Sequence, residues 1–185
     1  MTAMPQSVAH FSNEMAASAS FTTDEQRQHL TFTLGKETFA VGILAIKEIL
    51  RYGAPTEVPM THPCLVGVIN LRGRVVPVID LAVRLGREPV HVGRRTCIVI
   101  IEVTNCNDSG ALEMGLVVDT VRAVVDIPTI SVDPPPAFGV RLHPDYMIGV
   151  TRQDGLFVVI LDLNRILAME ELAALTQSAR TKKYE

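Results

Sequence analysis

The sequence predicts a mainly β protein built from two similar lobes, each with about five strands. Three observations carry this. Apolar and polar residues alternate from Leu30 onward, which is the two-residue period of a half-buried strand. Gly, Pro and Asp punctuate short runs rich in Val, Ile and Leu. The segment Gly67–Leu85 also aligns without a gap on Gly149–Leu167, so the chain contains one pattern twice. Five short strands are enough for a small barrel, and closure is the usual way to remove sticky sheet edges.

The 185 residues suit one domain, 48% of them hydrophobic and 20% charged, which is ordinary for a chain that buries a core. Residues 1–27 are rich in Ser, Ala, Thr, Gln and Met and read as a flexible arm. Leu30, Phe32 and Leu34 alternate with Thr31 and Thr33, and Gly35-Lys36 turns the chain into Thr38–Val41, which predicts a hairpin. Ile43, Ile46, Ile49 and Leu50 recur at helical spacing, yet their β-branching also allows a strand. Gly67–Leu71 and Val75–Ile79 flank the turn Arg72-Gly73, with Pro77 pointing to an edge or bulge.

Asp80 is placed to cap a short helix over Leu81–Leu85, ended by Gly86. Arg95–Val103 is a further strand, residues 105–110 a turn-rich loop, and Leu112–Val125 two strands with a bend. Pro134-Pro135-Pro136 stiffens a connector. Met147–Val150 and Leu156–Leu161 flank Gln153-Asp154-Gly155, and Asp162 caps a helix from Leu163. Glu170 and Glu171 open a terminal helix over Met169–Leu175, and the last residues to 185 form its end and a solvated tail.

In the repeat, Gly67 meets Gly149, Val68 meets Val150, Gly73 meets Gly155, Asp80 meets Asp162 and Leu85 meets Leu167. Phe39–Leu50 aligns more weakly with Met114–Val125. The lobes are therefore expected over about 28–88 and 95–168, with a cleft between them that suits a partner.

Composition excludes several classes. The net charge is −3, aromatics are 5% and Trp is absent, which argues against a nucleic-acid binder. Cys64, Cys97 and Cys106 are odd in number and form no C-x-x-C pair, so neither a zinc site nor a disulfide framework is expected. Cys97 falls in an apolar strand, and Cys64 has no cationic neighbour in sequence to activate it. The five histidines form no metal-binding spacing, and no G-x-S-x-G, P-loop or G-x-G-x-x-G occurs. Met1–Ser20 has no secretory signal, and runs such as Cys97–Ile101 are too short to span a bilayer. A cytoplasmic, non-enzymatic protein without cofactor or metal is the expectation. A small-molecule barrel with a polar pocket between the lobes is the alternative class.

One stretch is specific. Val58–Leu81, V-P-M-T-H-P-C-L-V-G-V-I-N-L-R-G-R-V-V-P-V-I-D-L, closely resembles the signature of CheW proteins. The likeness continues in F-T-L-G-K-E-T-F-A-V at Phe32–Val41, G-L-V-V-D-T-V at Gly115–Val121, D-P-P-P at Asp133–Pro136 and I-L-D-L-N-R-I-L at Ile160–Leu167, covering about residues 28–170. The resemblance implies two intertwined five-stranded SH3-like β-barrels with a few short helices and a C-terminal helix. It implies a non-catalytic adaptor that binds the chemoreceptor cytoplasmic tip in a groove between the lobes. The regulatory domain of the histidine kinase CheA would bind at barrel-end surfaces, and other CheW copies are further candidate partners in receptor arrays. Membrane association would come only through those partners.

Carried over by residue, the receptor groove would include Ile46, Gly67, Arg72, Gly73 and Val124. Arg72 on a tight turn can offer its planar fork to carboxylates. Gly67 and Gly73 would admit close backbone approach. Ile46 and Val124, near-equivalent in the two copies, would supply apolar contacts, although a core role for them stays open. Phe138 would contact kinase or a neighbouring copy, or else plug a barrel end. Gly42, where the family often has Pro or Asp, and Ala82, where a basic residue is common, depart from the pattern.

Overall fold

The computed structural model describes residues 27–59, 62–104, 111–136 and 142–168. The first half supplies β1 (Gln28–Leu34), β2 (Glu37–Gly42), β3 (Ile46–Arg51), β4 (Leu65–Leu71), β5 (Arg74–Asp80) and helix α1 (Leu81–Arg84). The second supplies β6 (Cys97–Thr104), β7 (Ala111–Val118), β8 (Thr120–Asp126), β9 (Met147–Gln153), β10 (Leu156–Leu161) and helix α2 (Leu163–Ile166). The ambiguous stretch after Gly42 is a 3₁₀ turn at Ile43–Ala45 and then strand. Its β-branched residues prevail over the helical spacing because β3 finds a partner in β6.

The strands form two five-stranded sheets, ordered β8-β1-β2-β10-β9 and β3-β6-β7-β5-β4. Replacing each strand of one order by its counterpart in the other half of the chain yields the other order. Within each sheet all pairs are antiparallel except β2 with β10 and β5 with β7. The chain after β3 bridges back to β4 through Thr56 and Val68, and the chain after β8 bridges to β9 through Asp133 and Val150. These bridges link the two ends of each strand order, which makes each sheet a small barrel.

The barrels are therefore not the contiguous halves 28–88 and 95–168. Each half gives a two-strand hairpin to one barrel and three strands to the other, so the lobes are intertwined. The joint between β7 and β8 shows why. Only Asp119 separates them, and a hairpin needs about two loop residues. The chain cannot reverse there, so β8 runs on into the neighbouring barrel.

Leu30, Phe32 and Leu34 are all buried, and Phe32 stacks on Phe39 across the β1–β2 pair with ring centroids 6.1 Å apart. One apolar cluster joins these residues to Val78, Ile79, Ile98, Ile100, Leu116 and Ile166, so both barrels share a core. Thr31 is buried on the opposite face of β1, across from Ala40, with its hydroxyl donating to the Ala123 carbonyl at 2.8 Å. Pro77 is tolerated because β5 pairs with β7 only from Val78 onward. Asp80 accepts from Val83 N at the start of α1, and Asp162 from Arg165 N at the start of α2. Phe138, Cys106, residues 1–26 and the terminal helix over Met169–Leu175 lie outside the described residues.

Candidate functional site

The two copies of the repeat make the same turn twice. Arg72 and Gly73 have φ of 53° and 85°, and Asp154 and Gly155 have φ of 49° and 78°. Both turns thus place a non-glycine residue in the left-handed region, followed by the glycine such a turn favours. Gly73 N–H donates to Asn70 Oδ1 at 2.8 Å, which fixes the first turn. The Arg72 side chain is thereby lifted off the sheet and is 76% exposed. Its Nη2 reaches back to Glu48 Oε2 on β3 at 3.2 Å. Turn and strand are joined where barrel closure brings β3 round towards β4.

Gly67 has a different task. It is buried beside the irregularity in the β4–β5 register, and a Cβ there would collide with the backbone carbonyl oxygen of Thr56. The close approach this glycine permits is that of its own chain. Gly149 is placed in the same way against Asp133 O and the Val132 side chain. Gly73, in contrast, has open space around it, so its surface is accessible.

Ile46 is half-buried opposite Ile101, and Val124 is 50% exposed opposite Leu30. They are not counterparts. In register, Ile46 corresponds to Val121, opposite Phe32, and Val124 corresponds to Ile49, opposite Val99. Even the bulges match, since Lys47 and Arg122 are the skipped residues. Ile49 is 43% exposed, and aligning Phe39–Leu50 on Met114–Val125 in the sequence already sets it against Val124. The structure brings Ile46, Arg72 and Gly73 onto one barrel with Gly67, while Val124 lies on the other.

The surface around Arg72 is zwitterionic. Lys47 pairs with Glu102 and Arg74 with Glu113, both at 2.9 Å. The exposed Lys47–Glu102 pair contributes about 0–1 kcal/mol and sets the pattern of charge rather than holding the fold, whereas Glu113 of the second pair is mostly buried. Across the other barrel the equivalent hairpin carries Phe157, 61% exposed, with the Arg152 guanidinium 4.6 Å from its ring centre.

The two barrels are also tied by a polar junction. Arg84 on α1 is buried, donates to Tyr146 Oη at 2.9 Å and lies over the Tyr146 ring. Beside it, His62 Nδ1 sits 3.0 Å from Cys64 Sγ. Burial pushes the Cys64 thiol up from its ordinary value despite the Arg84 charge, which keeps it protonated. Burial, helped by Arg84, pushes His62 down. Among the described residues no three His, Cys, Asp or Glu side chains are placed to hold a metal, and no helix is long and apolar enough to cross a membrane.

Comparison with known proteins agrees with this architecture. The family described as CheW-like domain matches residues 28–171. The chemotaxis protein CheW of Klebsiella aerogenes is 30% identical over 155 residues, covering 84% of this chain and 90% of that protein. The chemotaxis protein CheW of Bacillus subtilis is 31% identical over 142 residues, covering 76% and 86%. Among solved structures, the scaffolding protein TtCheW from Thermoanaerobacter tengcongensis superposes with a TM-score of 0.68 at 28% identity, covering 76% of this chain and 87% of that one.

Proposed function

This chain belongs to the CheW family of chemotaxis coupling scaffolds, and we propose that it joins the cytoplasmic tip of a chemoreceptor to the regulatory domain of the kinase CheA. The observation that carries the receptor side is the Arg72 turn. A left-handed residue holds a guanidinium clear of the sheet, next to open backbone at Gly73 and within reach of β3. A helical hairpin carrying carboxylates meets there a planar five-donor group and an edge of aliphatic side chains, Ile46 and Ile49. Val124 extends the apolar contact from the second barrel. Gly67 contributes by holding the turn's barrel closed.

No turnover is required of such a protein. Coupling arises when receptor conformations bind the scaffold with different affinities, and the scaffold passes that difference to the kinase as a bias between its states. The protein works in the cytoplasm and reaches the membrane through its receptors. Phe138 and, separately, barrel-end surface are assigned to the kinase or to a neighbouring copy of the chain.

Calorimetric titration with a receptor cytoplasmic-tip hairpin tests the reading. Saturable binding is expected for the wild type, with loss in Arg72→Glu and a roughly ten-fold weakening in Ile49→Asp, both still folded. No binding by the wild type, with the kinase regulatory domain also present, overturns the proposal.

A further inference from the structure

A second cleft lies away from the Arg72 turn. It is formed by the linker between α1 and β6 and by the joint where β7 passes into β8. Its lining residues are His91, Gly93, Arg94, Arg95, Thr96, Asp119 and Thr120, around a volume of about 270 Å³. The linker is fixed by Thr96, which is buried. Gly93 N–H donates to Thr96 Oγ1 at 2.8 Å, Thr96 N–H to Gly93 O at 3.2 Å, and Tyr52 N–H at the end of β3 to Thr96 O at 3.0 Å. The loop backbone is thus preorganised, so binding has chiefly the exposed arginine side chains to order.

Its lining carries a positive excess, two arginines against one aspartate. Arg94 and Arg95 are both exposed, and neither pairs with a carboxylate among the described residues. The single acidic lining residue, Asp119, is engaged in the wall, where its carboxylate accepts from Gly35 N–H. In a chain of net charge −3, two free guanidinium forks beside a rigid hollow are a local reversal of sign.

We propose that this cleft is a docking point for an acidic segment of a protein partner, whose carboxylates pair with Arg94 and Arg95. The lining selects among anions. No Phe, Tyr or Trp lines it, only the His91 imidazole, which leaves no platform for successive bases, and the volume is below the roughly 300–1,000 Å³ of small-molecule sites. Asp119 repels a compact dianion such as phosphate more than it repels separated carboxylates. Guanidinium planes match carboxylates in bidentate fashion. The inference is independent of the receptor reading, since it uses neither Arg72 nor Val124.

The test is an amide-resolved NMR titration of the full chain with capped hexaglutamate peptide, with inorganic phosphate and with phosphatidylglycerol vesicles as parallel arms. Expected are saturable shifts confined to Gly93, Thr96, Thr120 and their neighbours with the peptide. They should weaken with added salt and be weakened about ten-fold in an Arg94→Gln, Arg95→Gln double variant whose unfolding midpoint is unchanged. Shifts spread over the surface, or shifts insensitive to the double variant, overturn the proposal. Phosphate or vesicles perturbing these amides as strongly as the peptide overturns an acidic protein segment as the occupant.

Discussion

Replacing Gly67 by alanine puts one methyl group where the chain has no room. The new Cβ would press on the carbonyl oxygen of Thr56, a backbone atom that cannot swing away as a side chain would. That carbonyl is half of the bridge that closes the barrel: Val68 N–H donates to it at 2.9 Å, and Thr56 N–H donates to Val68 O at 2.8 Å. Relief of the clash has to strain or break both bonds, each worth about 0.5–1.5 kcal/mol net. Forcing alanine to φ of +154° adds backbone strain of about 1–3 kcal/mol. Against this, alanine lowers the entropy of the unfolded chain, which returns about 0.4–1 kcal/mol. The balance is a loss of about 1–6 kcal/mol, large beside the stability of an ordinary domain. Urea denaturation of Gly67→Ala reads it directly. Gly149→Ala should cost less, about 1–3 kcal/mol, since Asp133 O and the Val132 side chain crowd it but its backbone carries no positive φ. Gly73→Ala is the control. It has free space, so it should lose only the left-handed backbone cost of about 1–2 kcal/mol. A loss below about 0.5 kcal/mol for Gly67→Ala would refute the reasoning, because it would mean that the closing bridge moves freely.

Two further outcomes follow from unequal surroundings of equivalent groups. The Asp80 carboxylate is buried and accepts from Val83 N at 3.1 Å and from Val90 N at 2.8 Å, whereas among the described residues Asp162 accepts from Arg165 N alone, at 3.2 Å. Asp80→Ala should therefore destabilise by about 2–4 kcal/mol and Asp162→Ala by about 1 kcal/mol in the same denaturation assay; equal losses would contradict the count of bonds. His62 has a folded-state pKa below its ordinary value of 6.5, so the unfolded chain binds the proton more tightly. Its contribution to stability is present above pH 6.5 and is lost as pH falls through the folded-state value. His62→Gln should flatten the acid limb of stability against pH, and parallel curves for the two proteins would exclude the linkage.

Much of the fold is legible in the sequence because strands announce themselves by period and turns by residue type. Leu30, Phe32 and Leu34 alternate into the core as their spacing requires, and the aligned Gly73 and Gly155 mark the two turns that need them. The exchange of hairpins between barrels is not visible in the residues, since β2 looks the same whether it pairs with β10 or with a strand of its own half. What decides it is connection length, seen at Asp119, and that is a constraint on the chain rather than a pattern in it. Of the site, Arg72 stands out because arginine followed by glycine in a turn has little structural reason to be arginine. Gly67 is less transparent, because a glycine that admits a partner and one that admits its own chain are identical in sequence. Ile49 was hidden by the β-branched run around it, in which core and surface residues share one composition.

The duplication offers a way to separate fold from recognition. Positions at which the two copies agree serve the shared architecture: Gly67 and Gly149 at the closing bridges, Asp80 and Asp162 at the caps, Lys47 and Arg122 at the bulges. Positions at which they disagree have been released from that duty. Arg72 and Asp154 share one backbone conformation and carry opposite charges. Glu48, which holds Arg72, has Ala123 as its counterpart, so the ion pair has no equivalent on the second barrel. Val75 and Phe157 are both exposed at the same place, one aliphatic and one aromatic under an arginine. The proposed coupling of two different partners would call for two faces that fold alike and bind differently, and such substitutions on a common frame are what it would draw on.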